Sequence, residues 1–312
     1  MHLLDTVKKH LIKIKERLFN EYHSDKPSNE LSTWINKPDE STLSKWWKPG
    51  IPSIDDVTHG AINPKSTTLK WFGMDNEIHF DSIKETHNDW GFTKDNVNYT
   101  FNSLGYRNDE PEGERDFTVL ISGDSHTFGI ALDDEQIWPS QFKIFLQQQY
   151  PKCKVINISC PGGSNDWISR SLSCAIQTVK PDLVIAVYTY PNRREAIWDS
   201  GFLWQLNTTV PDNPRQNEYE EFQSWFMTIN EHTDYYNMMK NHWLVKLACN
   251  NKTTLIPSQV TQMQLIQKQL GTILQYNDVA RDCKHFGPRV HREFAKQIYN
   301  KFCRLQNIKK NV

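Results

Sequence analysis

From Asp116 onward the chain alternates short apolar runs with longer stretches of helical periodicity, and that rhythm constrains the fold more than any other feature. Phe117 to Ser122, Val155 to Ser159, Leu183 to Thr189 and Thr253 to Ser258 read as strands, being strand-sized and rich in β-branched residues. Helical stretches separate and follow them: Pro139 to Tyr150, with Pro at its first position, then Asp166 to Val179, Glu218 to Leu247, Gln262 to Leu274 and Pro288 to Arg304. A continuous apolar run such as Leu183 to Tyr188 marks a strand covered on both faces. The expected architecture is therefore α/β, a parallel central sheet between two helical layers. It occupies residues 116–312 and leaves residues 1–115 as an N-terminal accessory region.

That region has a different texture. Leu3, Leu4, Val7, Leu11, Ile12, Ile14 and Leu18 recur at near-helical spacing with Lys between them, an amphipathic helix suited to packing on a domain or to self-association. Ser24 to Asn63 reads as loop anchored by Trp34, Trp46 and Trp47. Short alternating runs at Glu77-Ile78-His79-Phe80 and Asn98-Tyr99-Thr100-Phe101 read as short strands.

Composition narrows the partners. With 36 Lys plus Arg against 37 Asp plus Glu among 312 residues, the net charge is -1, and no global field draws the chain to nucleic acid or an acidic membrane. No run reaches the roughly 18 to 20 apolar residues of a membrane helix, and the basic start carries no apolar signal block. The expectation is a soluble, cytoplasmic protein. Six cysteines without a CxxC fit reduced, individually packed thiols, with no disulfide frame and no metal site.

In such a sheet, ligands bind outside the carboxyl ends of the strands, so the loops there carry the candidate chemistry. The first is Gly123-Asp124-Ser125-His126-Thr127-Phe128-Gly129, whose flanking glycines permit a sharp turn that lifts Ser125 to the start of a helix. Ser125 could equally be a helix cap. Asp124 reads as a structural acceptor, and His126 as a substrate-lining residue rather than a base, because a base needs a carboxylate to orient it. Near the far end stands Asp282-Cys283-Lys284-His285, whose spacing of three puts a carboxylate and an imidazole on one side of a helical turn. His291, a rival to His285, is expected on the surface of the last helix.

These pieces together resemble the SGNH, or GDSL-type, hydrolase family. Ser122 to Trp138, SGDSHTFGIALDDEQIW, is similar to the family's first block, in which the Ser is the nucleophile. Val155-Ile156-Asn157-Ile158-Ser159-Cys160-Pro161-Gly162-Gly163 matches the second, whose glycine lends an N–H to the oxyanion hole. That alignment selects Gly162, with the adjacent Gly163 able to substitute. The third block ends in Gly-x-Asn-Asp in the family. Here Thr189-Tyr190-Pro191-Asn192-Arg193 puts Asn192 at the Asn position without the Gly or the Asp. Asp282 and His285 resemble the final Asp-x-x-His block.

The resemblance implies a flavodoxin-like SGNH fold and an esterase without metal or organic cofactor. Ser125 would be nucleophile, His285 base, Asp282 its orienter, and Ser125, Gly162 and Asn192 the oxyanion donors. Asp124, His126, Gly163 and Arg193 would support the site or line the substrate. The implied substrates are small-molecule or glycan carboxylic esters, whether of lipids, of short acyl groups or as O-acetyl groups of polysaccharides, and the aromatic-rich accessory region tilts the reading toward a carbohydrate ester. A non-catalytic binding or assembly protein on the same scaffold is the competing class, and an O-acyltransferase would use the same acyl-enzyme.

Three side issues have competing readings. Arg193 and Arg194 could clamp an anionic substrate group or pair with Glu195 or Asp199. Trp34, Trp46, Trp47, Trp167, Trp198 and Trp204 could form a sugar-stacking wall, although Trp is more often core. Asp166 reads as a helix cap.

Overall fold

A computed structural model of the protein describes residues 47–52, 64–86, 90–197, 203–206, 227–274 and 277–307, with 86, 197 and 203–205 described by backbone alone. The amphipathic stretch from Leu3 to Leu18, Trp34, Trp46 and Trp198 lie outside the described residues, as does most of the Ser24–Asn63 loop. In chain order come β1 (Thr68–Leu69), α1 (Glu77–Ile83), β2 (Tyr99–Thr100), β3 (Thr118–Ser122), α2 (Ser125–Phe128), α3 (Trp138–Leu146), β4 (Lys154–Asn157) and α4 (Asn165–Val179). Then follow β5 (Leu183–Tyr188), β6 (Arg194–Ile197), β7 (Leu203–Leu206), α5 (Glu231–Cys249), β8 (Thr254–Gln259), α6 (Val260–Leu274) and α7 (Pro288–Leu305).

The central sheet runs β4-β3-β5-β8 and every pairing in it is parallel. Taking its strands in chain order gives 2-1-3-4, the doubly wound arrangement whose ligand crevice opens where the order reverses, here between β3 and its two neighbours. Side chains alternate across the sheet with period two. Leu120, Ile156, Val184 and Ala186 face a layer that includes Trp167, Leu172 and Ala175 of α4 and Val245 of α5. Val119, Ile121, Val155 and Ile185 face Trp138 and Phe142 of α3, Met263 of α6 and Phe294 of α7. The expected α/β/α layering is thus present, with both faces buried.

Element boundaries follow local chemistry. Ser164 caps α4 by accepting from Trp167 N–H, and Asn230 caps α5 by accepting from Thr233 N–H. The helix expected from Glu218 therefore starts at Glu231 as α5, while residues 218–226 lie outside the described residues. In α7, Val290, Phe294, Ile298 and Phe302 recur at i, i+4 and form its buried stripe.

One expected strand is a helix. Glu77 to Phe80 alternates like a strand, but Asn76 accepts a hydrogen bond from His79 N–H and starts α1, leaving Phe80 buried and Ile78 exposed. Asn98 to Phe101 contributes only the two residues of β2, paired antiparallel with β1. Phe72, Val97, Tyr99, Phe101 and Tyr106 share one apolar cluster with Leu120, Phe128 and Ile156. All six cysteines are free thiols, Cys283 half-buried and the others buried.

Candidate active site

The loop after β3 carries Ser125 through a sharp turn. A Cβ on Gly123 would lie 2.2 Å from Thr127 Oγ1, so only glycine lets the chain fold back this closely. Asp124, not Ser125, is the cap of α2: its Oδ1 accepts from His126 N–H at 3.0 Å, which leaves Ser125 as the first helical residue. The turn ends at Gly129, with φ 82 and its N–H on Ser125 O at 2.9 Å.

Asp124 is fully buried and saturated. Its Oδ2 accepts from Thr189 Oγ1 at 2.6 Å and from Arg193 Nη1 at 3.2 Å. Burial alone would push its carboxyl up, yet His126, the Arg193 charge and these hydrogen bonds hold it below the usual carboxylate range. Its position fits a structural acceptor.

The loop after β4 is laced to the Ser125 turn. Asn157 Nδ2 donates to Thr127 O at 3.3 Å, and Cys160 N–H to Gly123 O at 3.0 Å. Gly163 N–H is committed to Cys160 O at 2.9 Å, whereas no backbone acceptor among the described residues takes the Gly162 N–H. Gly162 sits at φ 76, in the left-handed region.

After β5, Thr189 is pinned through its N–H to Asn165 Oδ1 at 2.9 Å, and Arg193 also donates to Gly163 O at 3.4 Å while lying over the Tyr190 ring. Arg193 thus ties three strand-end loops together. Asn192 is half-buried in the turn before β6. Arg194 pairs with Asp234 at 2.7 Å, and Glu195 is taken by Arg170 through two hydrogen bonds, so the expected pairing of Arg193 or Arg194 with Glu195 is not formed. Asp199 lies outside the described residues.

The Asp282–His285 pair forms, but not on a helix. The loop between α6 and α7 turns through Cys283 at φ 56, and Asp282 Oδ1 accepts from the N–H groups of Lys284 and His285, both at 3.1 Å. Asp282 Oδ2 lies 2.6 Å from His285 Nδ1, with both side chains buried. Burial would raise the Asp282 carboxyl, but its bond to His285 outweighs that and lowers it. With the proton on Nδ1, Nε2 of His285 is the basic atom. Its ring lies 4.9 Å from that of His126, the residue after Ser125, and His126 in turn packs 4.5 Å from Phe286.

Two other expectations need correction. His291 is fully buried, its Nδ1 accepting from Trp138 N–H at 3.0 Å, because α7 turns its apolar stripe and this residue toward the sheet. Asp166 is not a cap, since Ser164 takes that role; Asp166 accepts from Glu195 N–H, Asn237 and Asn241. Trp167 is core, Trp47 is exposed, and the side chain of Trp204 lies outside the described residues. Sequence reasoning missed Thr189 and Asn165, although Thr189 directly follows a strand and so stood at a place where site residues gather. Among the described residues no cluster of His, Cys, Asp or Glu could hold a metal ion, and no helix is long and apolar enough to cross a membrane.

No protein-family model and no curated protein matches the chain. Among solved structures, the esterase EstA from Pseudoalteromonas sp., inhibited by monoethylphosphonate, is similar at 15% identity over 62% of this chain and 100% of its own, with a TM-score of 0.33. TesA is similar at 16% identity over 60% of this chain and 99% of its own, with a TM-score of 0.33. The acetylxylan esterase Axe2 from Geobacillus stearothermophilus is similar at 14% identity over 61% of this chain and 95% of its own, with a TM-score of 0.32.

Proposed function

We propose that the protein is an SGNH-type ester hydrolase working through an acyl-Ser125 intermediate. Ser125 Oγ attacks the acyl carbonyl while His285 Nε2 takes its proton and passes it to the departing alcohol. Water then attacks the acyl-enzyme with the same base, releasing the acid and restoring Ser125. Asp282 keeps the proton on His285 Nδ1 and stabilises the imidazolium. Ser125 N–H, Gly162 N–H and Asn192 Nδ2 receive the oxyanion, and Asp124, Gly163, His126 and Arg193 support or line the site. This chemistry runs without metal or organic cofactor.

The observation that carries the reading is the buried carboxylate–imidazole pair at 2.6 Å, its imidazole packed on the neighbour of a serine at a strand end. Residues 116–312 would form the hydrolase domain and residues 1–115 the accessory region. The substrate is read as a carboxylic ester with a short acyl group, including O-acetyl groups of a carbohydrate.

Hydrolysis of p-nitrophenyl acetate by wild type, Ser125→Ala and His285→Ala, with fluorophosphonate labelling, tests the reading. Each variant should lose at least ~10³-fold in kcat/KM, with label confined to Ser125 of the wild type. Asn192→Ala should lose about 10²-fold in kcat. A wild type that neither turns over nor labels would return the scaffold to a binding role.

A further inference from the structure

Arg281, immediately before Asp282, is fully buried, and all five of its N–H donors are occupied. Nε donates to Asp75 Oδ1 at 3.0 Å and Nη2 to Asp75 Oδ2 at 2.6 Å. Nη2 also reaches Lys70 O, and Nη1 the carbonyls of Thr93 and Lys94, each at 3.3 Å. The guanidinium lies 3.8 Å from the centre of the Trp71 ring. Every one of these partners comes from residues 70–94, far from Arg281 in sequence.

The same cluster reaches the nucleophile side. Asp75 accepts the Tyr99 hydroxyl at 2.5 Å, that oxygen accepts from Ala131 N–H at 2.7 Å, and Ala131 O accepts from Arg281 N–H at 3.0 Å. The chain of bonds closes on itself through Arg281, Asp75, Tyr99 and Ala131. Ala131 has φ 62, a left-handed conformation that a residue with a Cβ adopts only under constraint, and both its backbone polar groups are held by this ring. Outside the ring, His79 Nε2 lies 3.0 Å from the Asp282 carbonyl. Arg107 fastens the end of the nucleophile turn through the carbonyls of Phe128, Gly129 and Leu132, at 3.2, 2.6 and 2.9 Å.

We infer that Asp75 and Arg281, with Tyr99 and Ala131, are positioning residues that set the Asp282–His285 loop against the Ser125 turn. A buried, bidentate ion pair is an expensive way to gain stability, and its value lies in the geometry it fixes. Residues 70–107 are then a working part of the site. The kinetic consequence rests on the esterase reading; the placement of His285 does not.

The test uses the full chain with Asp75→Asn, Arg281→Lys and Tyr99→Phe. The readouts are kcat and KM on p-nitrophenyl acetate, and the low-field proton resonance of His285 Nδ1–H, identified by its loss in His285→Gln. Folding is checked by circular dichroism. Asp75→Asn should lower kcat by about 10- to 100-fold with KM changed less than about 2-fold, since a misplacement near 1 Å costs that much. The His285 resonance should shift or broaden in parallel. Arg281→Lys, which keeps the charge but not the fork, should fall between. Tyr99→Phe, the mildest change, should shift the resonance even if the other two fail to fold. A folded Tyr99→Phe or Asp75→Asn with the wild-type resonance overturns the inference. Absent turnover in wild type would sink the esterase reading alone, because the resonance still reports the placement.

Discussion

The two halves of the site are held in different ways. The turn that carries Ser125 hangs from β3 in the middle of the sheet, and its path is set first by glycines at both ends and by Cys160 N–H on Gly123 O, to which the Asp124 cap and the Arg107 side chain add bonds. The acid–base loop has no strand beneath it. Backbone bonds from Ala280 N–H to His285 O and from Gly287 N–H to Asp278 O close it, and side chains anchor it, Asp282 bonding inward to His285 and Arg281 outward to Asp75. A path that requires glycine fails on a change in φ, whereas a loop aimed by buried side chains loses its geometry when one polar group is altered.

The sharpest way to break that contrast is Asp282→Asn. An amide at Asp282 presents no full negative charge to Nδ1 and can stabilise the wrong His285 tautomer, so kcat on p-nitrophenyl acetate should fall on the order of 10³- to 10⁴-fold. The thermal transition should move far less than the rate. A loss of less than about tenfold would mean that the pair at 2.6 Å is structural only.

The complementary test on the other half is Gly129→Ala. The position has φ 82, and a Cβ there would lie 2.1 Å from Ile137 Cγ2, so both strain and overlap oppose it. Together these should cost about 3 kcal/mol of stability, read by urea denaturation, with the activity of the surviving folded fraction close to wild type. Unchanged stability would mean that the turn is not set by its backbone.

The same contrast explains what the sequence made legible. The sheet and its order of helices could be read because burial on both faces leaves continuous apolar runs, as in Leu183–Tyr188, and because Pro139 stands in the first turn of α3, one residue after its start at Trp138. The nucleophile turn and the Asp-x-x-His spacing were readable because they are local in sequence. The anchoring of Arg281 by Asp75 was not, since the two lie far apart in the chain and nothing local distinguishes a buried Arg from a surface one. His291 was misread for a related reason: its burial depends on which way α7 turns its stripe, and its partner is a backbone N–H at Trp138. Glu77–Phe80 failed because two apolar residues in alternation are too few to outvote a cap at Asn76.

The smallest effect lies where the halves touch, at His126. Burial pushes its imidazole down to about 4, Asp124 pulling the other way, and its Nδ1 is buried without a partner among the described residues. The folded value lies below the unfolded value of about 6.5, so the unfolded chain binds more protons between these limits. Stability is then fully present above about 6.5 and lost as pH falls toward 4, by on the order of 3 kcal/mol from this group. Asp124 and Asp282, both lowered in the folded state, withdraw their contributions only below about 3.9, so the two acid losses separate on the pH axis. His126→Phe keeps a ring against His285 and Phe286 and removes the proton site. Denaturant midpoints measured at pH 7, 5.5 and 4.5 should show a shallower fall than wild type, with a remainder from His291, whose imidazole burial holds well below its usual value. Parallel curves for the two proteins would place the acid sensitivity elsewhere and leave His126 as a spacer between the two halves.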